Sequence, residues 1–358
     1  MRSWACWLAL LCGMLLMTTA CQRRTQFVVQ RPDSTAVPAD SATVRLRDAQ
    51  QMWESGSDPG TAAALSAAAL KADLSGLDAS EWQRRAGFLL DSVGVGGEFA
   101  EARCALVVNL FSRADPDGGS WPFLYWCGPH GIDYQPIEGR DLHLSAALTR
   151  GLGPRPAGAD SSRLVAVMFT RRGTSGPAPL VMTWTQPRGG TRWTLAQTLG
   201  PDSLGGSGSG DFEASADTAI GLVTRTYRTP PGFQECATCP HAYSTHRFLL
   251  GPTGFLRVED QEVPSTYSTF VRFVRSLVAG DRLQAQSLVT DPRLINDALR
   301  FEWHYGRGVW RTAPGTGDES PLKLVFFRGQ TEAYAVHFQQ RGNDWLISGI
   351  EPVTRAVE

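Results

Sequence analysis

The chain has 358 residues, of which 42% are apolar, and its 34 basic side chains are nearly balanced by 35 acidic ones. This balance leaves no excess of positive charge for nucleic acid, and the apolar content is that of a globular chain long enough for two domains. The 37 glycines and 22 prolines indicate many turns, so we expect an α+β protein rich in antiparallel strands.

The N-terminal segment has the pattern of a secretory signal. In "MRSWACWLALLCGMLLMTTACQRR", a single basic residue, Arg2, precedes an uncharged, mostly apolar run from Trp4 to Ala20. A basic start, a short apolar run and small residues before the cleavage point are typical of segments that are removed on export. The sequence therefore predicts a signal peptide over residues 1–20 and a folded part outside the cytoplasm.

The end of this segment, "LMTTAC", resembles the signal of bacterial lipoproteins, in which a cysteine becomes the acylated mature N-terminus. Ala20 and Thr19 match its small positions and Cys21 its lipid acceptor, whereas Thr18 stands where leucine is usual. The resemblance implies a palmitate-bearing anchor in the cell membrane. The outer membrane is slightly favoured because Gln22, not an aspartate, follows the cysteine. Ordinary cleavage and secretion is the alternative.

Residues 21–42 are polar and predict a flexible tether. The following pattern, from Val44 to Val93, is helical, and Asp78 with Glu81 three residues later has the spacing of a capping box.

Seven cysteines are encoded, and three of them lie in the predicted signal or at its end. The others are Cys104, Cys127, Cys236 and Cys239. An even number of cysteines in an oxidising compartment predicts two disulfides.

In "CALVVNLFSRADPDGGSWPFLYWC", two apolar runs flank a turn. A hairpin symmetric about the Asp115–Pro116 step places Cys104 directly opposite Cys127, which predicts a cross-strand disulfide.

The middle of the chain predicts an antiparallel meander. Runs such as "SRLVAVMFTRR", "APLVMTWTQ" and "TRWTLAQTL" are rich in strand-forming residues and are separated by glycine and proline turns. The glycine-rich "LGGSGSGDF", residues 204–212, predicts a mobile loop. Residues 43–262 are thus expected to form helices followed by a β-rich domain.

Four interpretations compete for the stretch "FQECATCPHAYSTH". Covalent haem attachment needs a histidine directly after the second cysteine, where Pro240 stands. A zinc site is a less favoured interpretation, and its ligands are Cys236, Cys239, His241 and His246. A thioredoxin-like redox pair should open a helix, whereas a strand pattern follows here. A Cys236–Cys239 disulfide at a hairpin tip is favoured over these three.

The C-terminal part, residues 263–358, combines helices with strands. The long helical pattern "FVRFVRSLVAGDRLQAQSLV" and the closing "VHFQQRGNDWLISGIEP" resemble the nuclear-transport-factor-two-like cone fold, shared with ketosteroid isomerase. The resemblance implies an α+β cone, and it leaves function open because the family includes both enzymes and binding modules. Candidate residues for a cone pocket are Tyr267, His304, Tyr305 and Trp310.

Two functional hypotheses follow. The leading one is a non-enzymatic binding or scaffolding module of the cell envelope, with no cofactor, anchored to the membrane by lipid and bound to an envelope protein or a small molecule. The alternative is a small-molecule binder or acid/base enzyme that uses the C-terminal pocket around His304. A cone packed with aromatic side chains favours the first hypothesis, and an open cavity with a buried ionisable residue favours the second.

Overall fold

The computed structural model describes residues 41–56, 58–116, 119–128, 131–150, 163–173, 176–187, 192–214, 220–312 and 321–353. The predicted signal peptide, Cys21 and nearly all of the predicted tether lie outside the described residues. Residues 41 and 42, predicted to end the tether, instead begin the first helix. No helix in the described ranges is long and apolar enough to cross a membrane.

The predicted N-terminal helical region is confirmed. Its helices are α1 (Ser41–Ser55), α2 (Pro59–Leu74) and α3 (Ala79–Val93). Asp58 and Asp78 begin α2 and α3 by accepting hydrogen bonds from the backbone amides of Thr61 at 3.0 Å and Ser80 at 2.9 Å. Hydrogen bonds from Thr61 lower the pKa of Asp58, and hydrogen bonds from Ser80 lower the pKa of Asp78. The carboxylate of Glu81 pairs with Arg84 at 2.9 Å.

The strands of the described residues form four antiparallel sheets, each with its strands in chain order. The first sheet contains β1 (Gly96–Ala102), β2 (Ala105–Phe111), β3 (Ser120–Gly128) and β4 (Gly131–Pro136). The second contains β5 (Leu142–Arg150), β6 (Arg163–Gly173), β7 (Gly176–Gln186) and β8 (Thr194–Leu199). After a short helix, α4 (Pro201–Leu204), the third contains β9 (Ser207–Ala214), β10 (Ile220–Tyr227), β11 (Tyr243–Leu250) and β12 (Phe255–Glu262). The fold is therefore α+β with many strands, as predicted.

Strand β2 is buried on both faces. Leu106 and Val108 pack against the N-terminal helices, whereas Ala105 and Val107 pack against the second sheet. This separation follows from the alternation of side chains along a strand. Residues 105–108 of β2 are continuously apolar because neither face meets water, and the buried Asn109 that follows donates to Leu142 and Glu98.

Strand β6 repeats this arrangement one layer further on. Val165 and Val167 pack toward the first sheet, whereas Leu164 and Ala166 pack toward the third sheet. Each fully buried valine or leucine contributes about 1.5–3 kcal/mol relative to an exposed one. Successive apolar layers thus join the N-terminal helices to the first sheet, the first sheet to the second, and the second sheet to the third.

The hairpin of β2 and β3 has the predicted register. Ala105 lies opposite Trp126, and the backbone amide of Cys127 donates to the carbonyl of Cys104 at 3.1 Å. The predicted disulfide is not present, because both cysteines are free thiols. Burial, followed by the hydrogen bond between the two thiols, raises the pKa of Cys127 to about 12. Oxidation of this pair in an oxidising compartment stays a prediction.

The glycine-rich segment differs from the loop that its composition predicts. It begins with the end of α4, and most of it lies in strand β9, which pairs with β10. Gly205 and Gly208 have positive φ angles of 99° and 141°. A Cβ atom on Gly205 would collide with His246, and one on Gly208 with the backbone carbonyl of Arg225. These glycines permit close packing of the backbone. A glycine-rich composition is typical both of such packing and of a mobile loop, so composition alone does not distinguish the two.

The C-terminal part contains α5 (Thr266–Ala279), α6 (Arg282–Ser287), α7 (Arg293–Arg300) and a 3₁₀ turn (Trp303–Tyr305). The fourth sheet contains β13 (Trp310–Thr312), β14 (Lys323–Arg328), β15 (Glu332–Arg341) and β16 (Asp344–Pro352). Ser265 and Ser268 form a capping box at α5, and Asp281 begins α6 by accepting from the amide of Gln284 at 2.9 Å. The helices and the sheet share one aromatic-rich core.

Candidate functional site

The connection between β10 and β11, residues 228–242, carries most of the stretch with two cysteines and two histidines. We call it the β10–β11 loop. Cys236 and Cys239 are joined by the predicted disulfide, with their Cα atoms 5.0 Å apart. The backbone amide of Cys239 donates to the carbonyl of Cys236 at 3.0 Å, so the disulfide closes a turn.

This loop reaches into the C-terminal part of the chain. The amide of Trp310 donates to the carbonyl of Gly232 at 2.9 Å, and the amide of Gln234 donates to the carbonyl of Trp310 at 2.8 Å. These bonds extend the fourth sheet by a short parallel bridge between Phe233 and Trp310. The Phe233 side chain is 8% exposed and packs edge-on against Tyr267 and Phe270 in the C-terminal core. The loop is therefore a connector between regions rather than a free hairpin tip.

A buried polar cluster lies beside this connection. His241 Nδ1 is 3.0 Å from Glu235 Oε2, and the two side chains are only 4% and 3% exposed. Burial, followed by the charge of the nearby Glu235 carboxylate, raises the pKa of Tyr267 far above its usual range. The Tyr227 ring stacks on His241 with centroids 3.5 Å apart. Glu235 Oε1 and His241 Nε2 have no hydrogen-bond partner among the described residues.

His246 belongs to a different cluster. Its Nδ1 lies 2.8 Å from Asp260 Oδ1, and Asp260 also accepts from Arg257. The hydrogen bond with His246 is the main cause of the lowered pKa of Asp260, and Arg257 adds to it.

These contacts do not bring together the four side chains that the sequence offers as zinc ligands. Cys236 and Cys239 are consumed by their disulfide, and the two histidines bond to separate carboxylates. Across the described part of the chain, no group of three or more histidine, cysteine, aspartate or glutamate residues could hold a metal ion.

Of the four residues predicted to line a cone pocket, Tyr267 and Trp310 share one core, and His304 and Tyr305 lie beside each other outside it. Tyr267 and Trp310 are 2% and 3% exposed and belong to the core. The space between them is filled by stacked aromatic rings, among which Phe270 and Phe326 have centroids 3.5 Å apart. His304 and Tyr305 lie next to each other, with ring centroids 3.9 Å apart, and Tyr305 is 55% exposed. The predicted interior pocket is therefore replaced by packed aromatic side chains in the described residues.

An open space lies instead on the outer side of helix α5, facing the β10–β11 loop. We call it the α5 cleft. Its volume is about 620 Å³, and its lining includes Phe233, Arg272, Arg275, Val278, Asp281 and Trp310. A space of this size is within the roughly 300–1,000 Å³ that is usual for small-molecule sites.

The charge of the α5 cleft comes from three of its described lining residues, Arg272, Arg275 and Asp281. Asp281 is already the N-cap of α6. Arg272 approaches Glu262 at 3.8 Å, with both side chains more than 40% exposed, and such a pair is weak in water. Arg275 has no hydrogen bond or ion pair with any described residue. The cleft thus presents two available guanidinium groups beside an apolar surface.

A smaller cavity of about 250 Å³ lies between α1 and the first sheet and is lined by Gln50, Trp53, Glu54 and Arg113. Its charged groups are already paired, since Gln50 donates to Glu54 at 2.9 Å and Arg113 bonds to Asp91, although the buried Trp53 Nε1 has no partner among the described residues. This leaves the α5 cleft as the stronger candidate.

Sequence reasoning did not identify Glu235, Arg272 or Arg275. Glu235 stands directly before Cys236, and only the fold brings it to His241 and Tyr267. The two arginines lie three residues apart in "FVRFVRS", a spacing that places them on one helix face and could have indicated a shared role. Comparisons with family models, curated proteins and solved structures give no match for this chain.

Proposed function

We propose that this protein is a lipid-anchored, extracytoplasmic module of the bacterial cell envelope that binds or scaffolds without catalysing a reaction. Its anchor would be Cys21, and its binding site would be the α5 cleft. The proposal on location rests on the apolar N-terminal run and the resemblance of "LMTTAC" to a lipoprotein signal.

The observation that carries the binding role is the filled interior of the C-terminal part. Acid/base catalysis needs an ionisable group placed within reach of a bound substrate. Tyr267 is enclosed by the core, and the Glu235–His241 pair is closed off from solvent. In the α5 cleft, the carboxylate of Asp281 is engaged by the amide of Gln284. What remains accessible is a surface suited to holding a ligand.

The C-terminal part is proposed to be a cone-like domain of the nuclear-transport-factor-two type. Support comes from a long helix, α5, followed by shorter helices and a four-stranded antiparallel sheet that share one core. In such a domain, the aromatic filling and the inserted Phe233 leave the outer face of α5 for binding.

The alternative of a small-molecule binder is favoured by one observation, the volume of the α5 cleft. This alternative is compatible with the envelope location, because a lipid-anchored protein can present such a cleft in the periplasm or at the cell surface. In this alternative, the ligand binds in the external α5 cleft and not in the interior pocket that the sequence predicts.

The location is tested by expressing the full chain in a bacterial host fed an alkyne-labelled palmitate. We expect the wild type to carry the label and to fractionate with membranes, and Cys21→Ser to lose both properties. Cys12→Ser is the matched control, because Cys12 lies inside the predicted signal and should leave labelling unchanged. Equal labelling of the Cys21→Ser variant, or an unlabelled and soluble wild type, would contradict the proposal.

A further inference from the structure

We infer that the α5 cleft binds a small amphipathic anion, a molecule with one carboxylate and an unbranched apolar chain. The carboxylate would lie against Arg272 and Arg275, and the chain against the exposed apolar lining of Pro231, Val278 and Ala279. This inference rests on the proposed binding function and names the chemical class of its ligand.

The charge argument begins with helix α5. Arg272 and Arg275 are three residues apart, so their side chains lie on one face, about one helical turn from each other. Both are exposed and both line the cleft. A guanidinium group matches a carboxylate through two parallel hydrogen bonds, and a second arginine strengthens the attraction.

The protein itself does not supply that carboxylate. Glu262 stays 3.8 Å from Arg272 and is 45% exposed, which is a weak and screened contact. Asp281 lies in the lining and accepts the amide of Gln284 through one oxygen, but it lies within ion-pairing distance of no described arginine. Arg275 has no ion pair with any described residue. An external anion therefore completes the pairing of the arginines.

The apolar argument concerns the surface beside these charges. Val278 is 50% exposed on the same helix, and Ala279 and Pro231 are also exposed in the lining, whereas Phe233 and Trp310 line the cleft at only 8% and 3% exposure. Covering apolar surface gains about 25 cal/mol per Å² removed from water, so a ligand with an apolar chain gains free energy that a bare inorganic anion does not. The volume of about 620 Å³ suits a small molecule.

The first test compares octanoate with octanol, which has the same chain without the negative charge, by isothermal titration calorimetry. We expect octanoate to bind the wild type more tightly than octanol. Arg275→Gln and Arg272→Gln should each weaken octanoate binding about tenfold, because a hydrogen bond to a charged group contributes roughly that much. Octanol binding should be unchanged. Arg341→Gln is the matched control, because it removes one exposed arginine outside the cleft.

A second variant keeps both arginines. Val278→Asp adds a negative charge to the cleft lining at a half-exposed position, where the substitution does not disturb the core. We expect it to abolish octanoate binding. Leu283→Asp is its control, because Leu283 is 82% exposed and does not line the cleft. Far-ultraviolet circular dichroism checks that each variant is folded.

Three outcomes are distinct. Charge-selective binding that depends on Arg272, Arg275 and Val278 supports the inference. Equal binding of octanoate and octanol, unaffected by the arginine variants, overturns the inference and leaves a cleft that binds apolar molecules, so the proposed binding function survives. Absence of binding by either probe to the folded wild type overturns both the inference and the assignment of the cleft as the binding site.

Discussion

Two of the histidine–carboxylate pairs in the described residues, one in the β10–β11 loop and one in the third sheet, differ in burial. In the β10–β11 loop, His241 and Glu235 are 3.0 Å apart and their side chains are 4% and 3% exposed. At the edge of the third sheet, His246 and Asp260 are 2.8 Å apart, but the Asp260 side chain is 58% exposed. The bond lengths are similar, so distance does not rank the two pairs. Their contributions should differ because only Asp260 can be solvated when its partner is lost.

The largest expected effect is that of Glu235→Ala. This substitution leaves His241 Nδ1 without its acceptor inside the protein and removes the buried carboxylate near Tyr267. An unsatisfied buried polar group costs about 1–3 kcal/mol, and the cavity left by the shortened side chain adds to that loss of unfolding free energy. Urea denaturation measures the loss. Glu235→Gln keeps an acceptor oxygen and should cost clearly less; equal losses for the two variants would contradict this account.

Tyr267→Phe tests the same cluster from the other side, and Tyr334→Phe is its matched control. Tyr334 donates to Glu332 at 2.7 Å, but the Glu332 side chain is 41% exposed. We expect a loss of about 1–3 kcal/mol for Tyr267→Phe and less than about 1 kcal/mol for Tyr334→Phe, measured by urea denaturation. A reversed order would show that burial of the carboxylate does not set the cost.

Removal of the Cys236–Cys239 disulfide should destabilise the protein less than Glu235→Ala does. The double substitution Cys236→Ser with Cys239→Ser opens a very short loop, for which chain entropy predicts a loss of about 2 kcal/mol. Thermal denaturation of the wild type with and without dithiothreitol should give a similar difference, and the double variant should lose this part of the response to the reductant. A much larger loss would mean that insertion of Phe233 into the C-terminal core depends on the disulfide.

Asp260→Asn should have the smallest effect of the four. The pKa of Asp260 is lower in the folded chain than in the unfolded chain, so its contribution is present at neutral pH. It is lost as the pH falls below about 4, through the folded pKa. Denaturation midpoints of wild type and variant should therefore converge in acid. Equal separation of the midpoints at pH 3 and pH 7 would contradict this assignment.

Much of the N-terminal half could be predicted from its own residues. Asp58 and Asp78 begin their helices because a short acidic side chain can accept a hydrogen bond from the first turn, which is a local interaction. The register that sets Cys104 opposite Cys127 follows from the turn between β2 and β3. The register does not determine whether these two cysteines are oxidised to a disulfide. Mass spectrometry of the mature protein measures their oxidation state.

The candidate site could not be predicted in the same way. Trp310 and Tyr267 have the composition expected of pocket residues, but Phe233 and the rings around it occupy the interior. Phe233 lies 34 residues before Tyr267 and 77 before Trp310 in the chain. No local pattern shows that such distant segments share a core. The glycine-rich segment was predicted as a loop for a similar reason, because its close contacts with His246 and Arg225 are also nonlocal.

The sequence by itself determined the features that depend on neighbours along the chain: the helices and their caps, the hairpin register, the α+β class and the short Cys236–Cys239 disulfide. Only the tertiary structure decided which polar groups are buried and what faces the solvent. It enclosed Glu235 with His241, filled the predicted interior pocket with aromatic rings and left Arg272 and Arg275 beside an open cleft. The physical reason is that burial is a property of the packed chain: desolvation of a carboxylate or exposure of an arginine depends on segments that lie far apart in sequence.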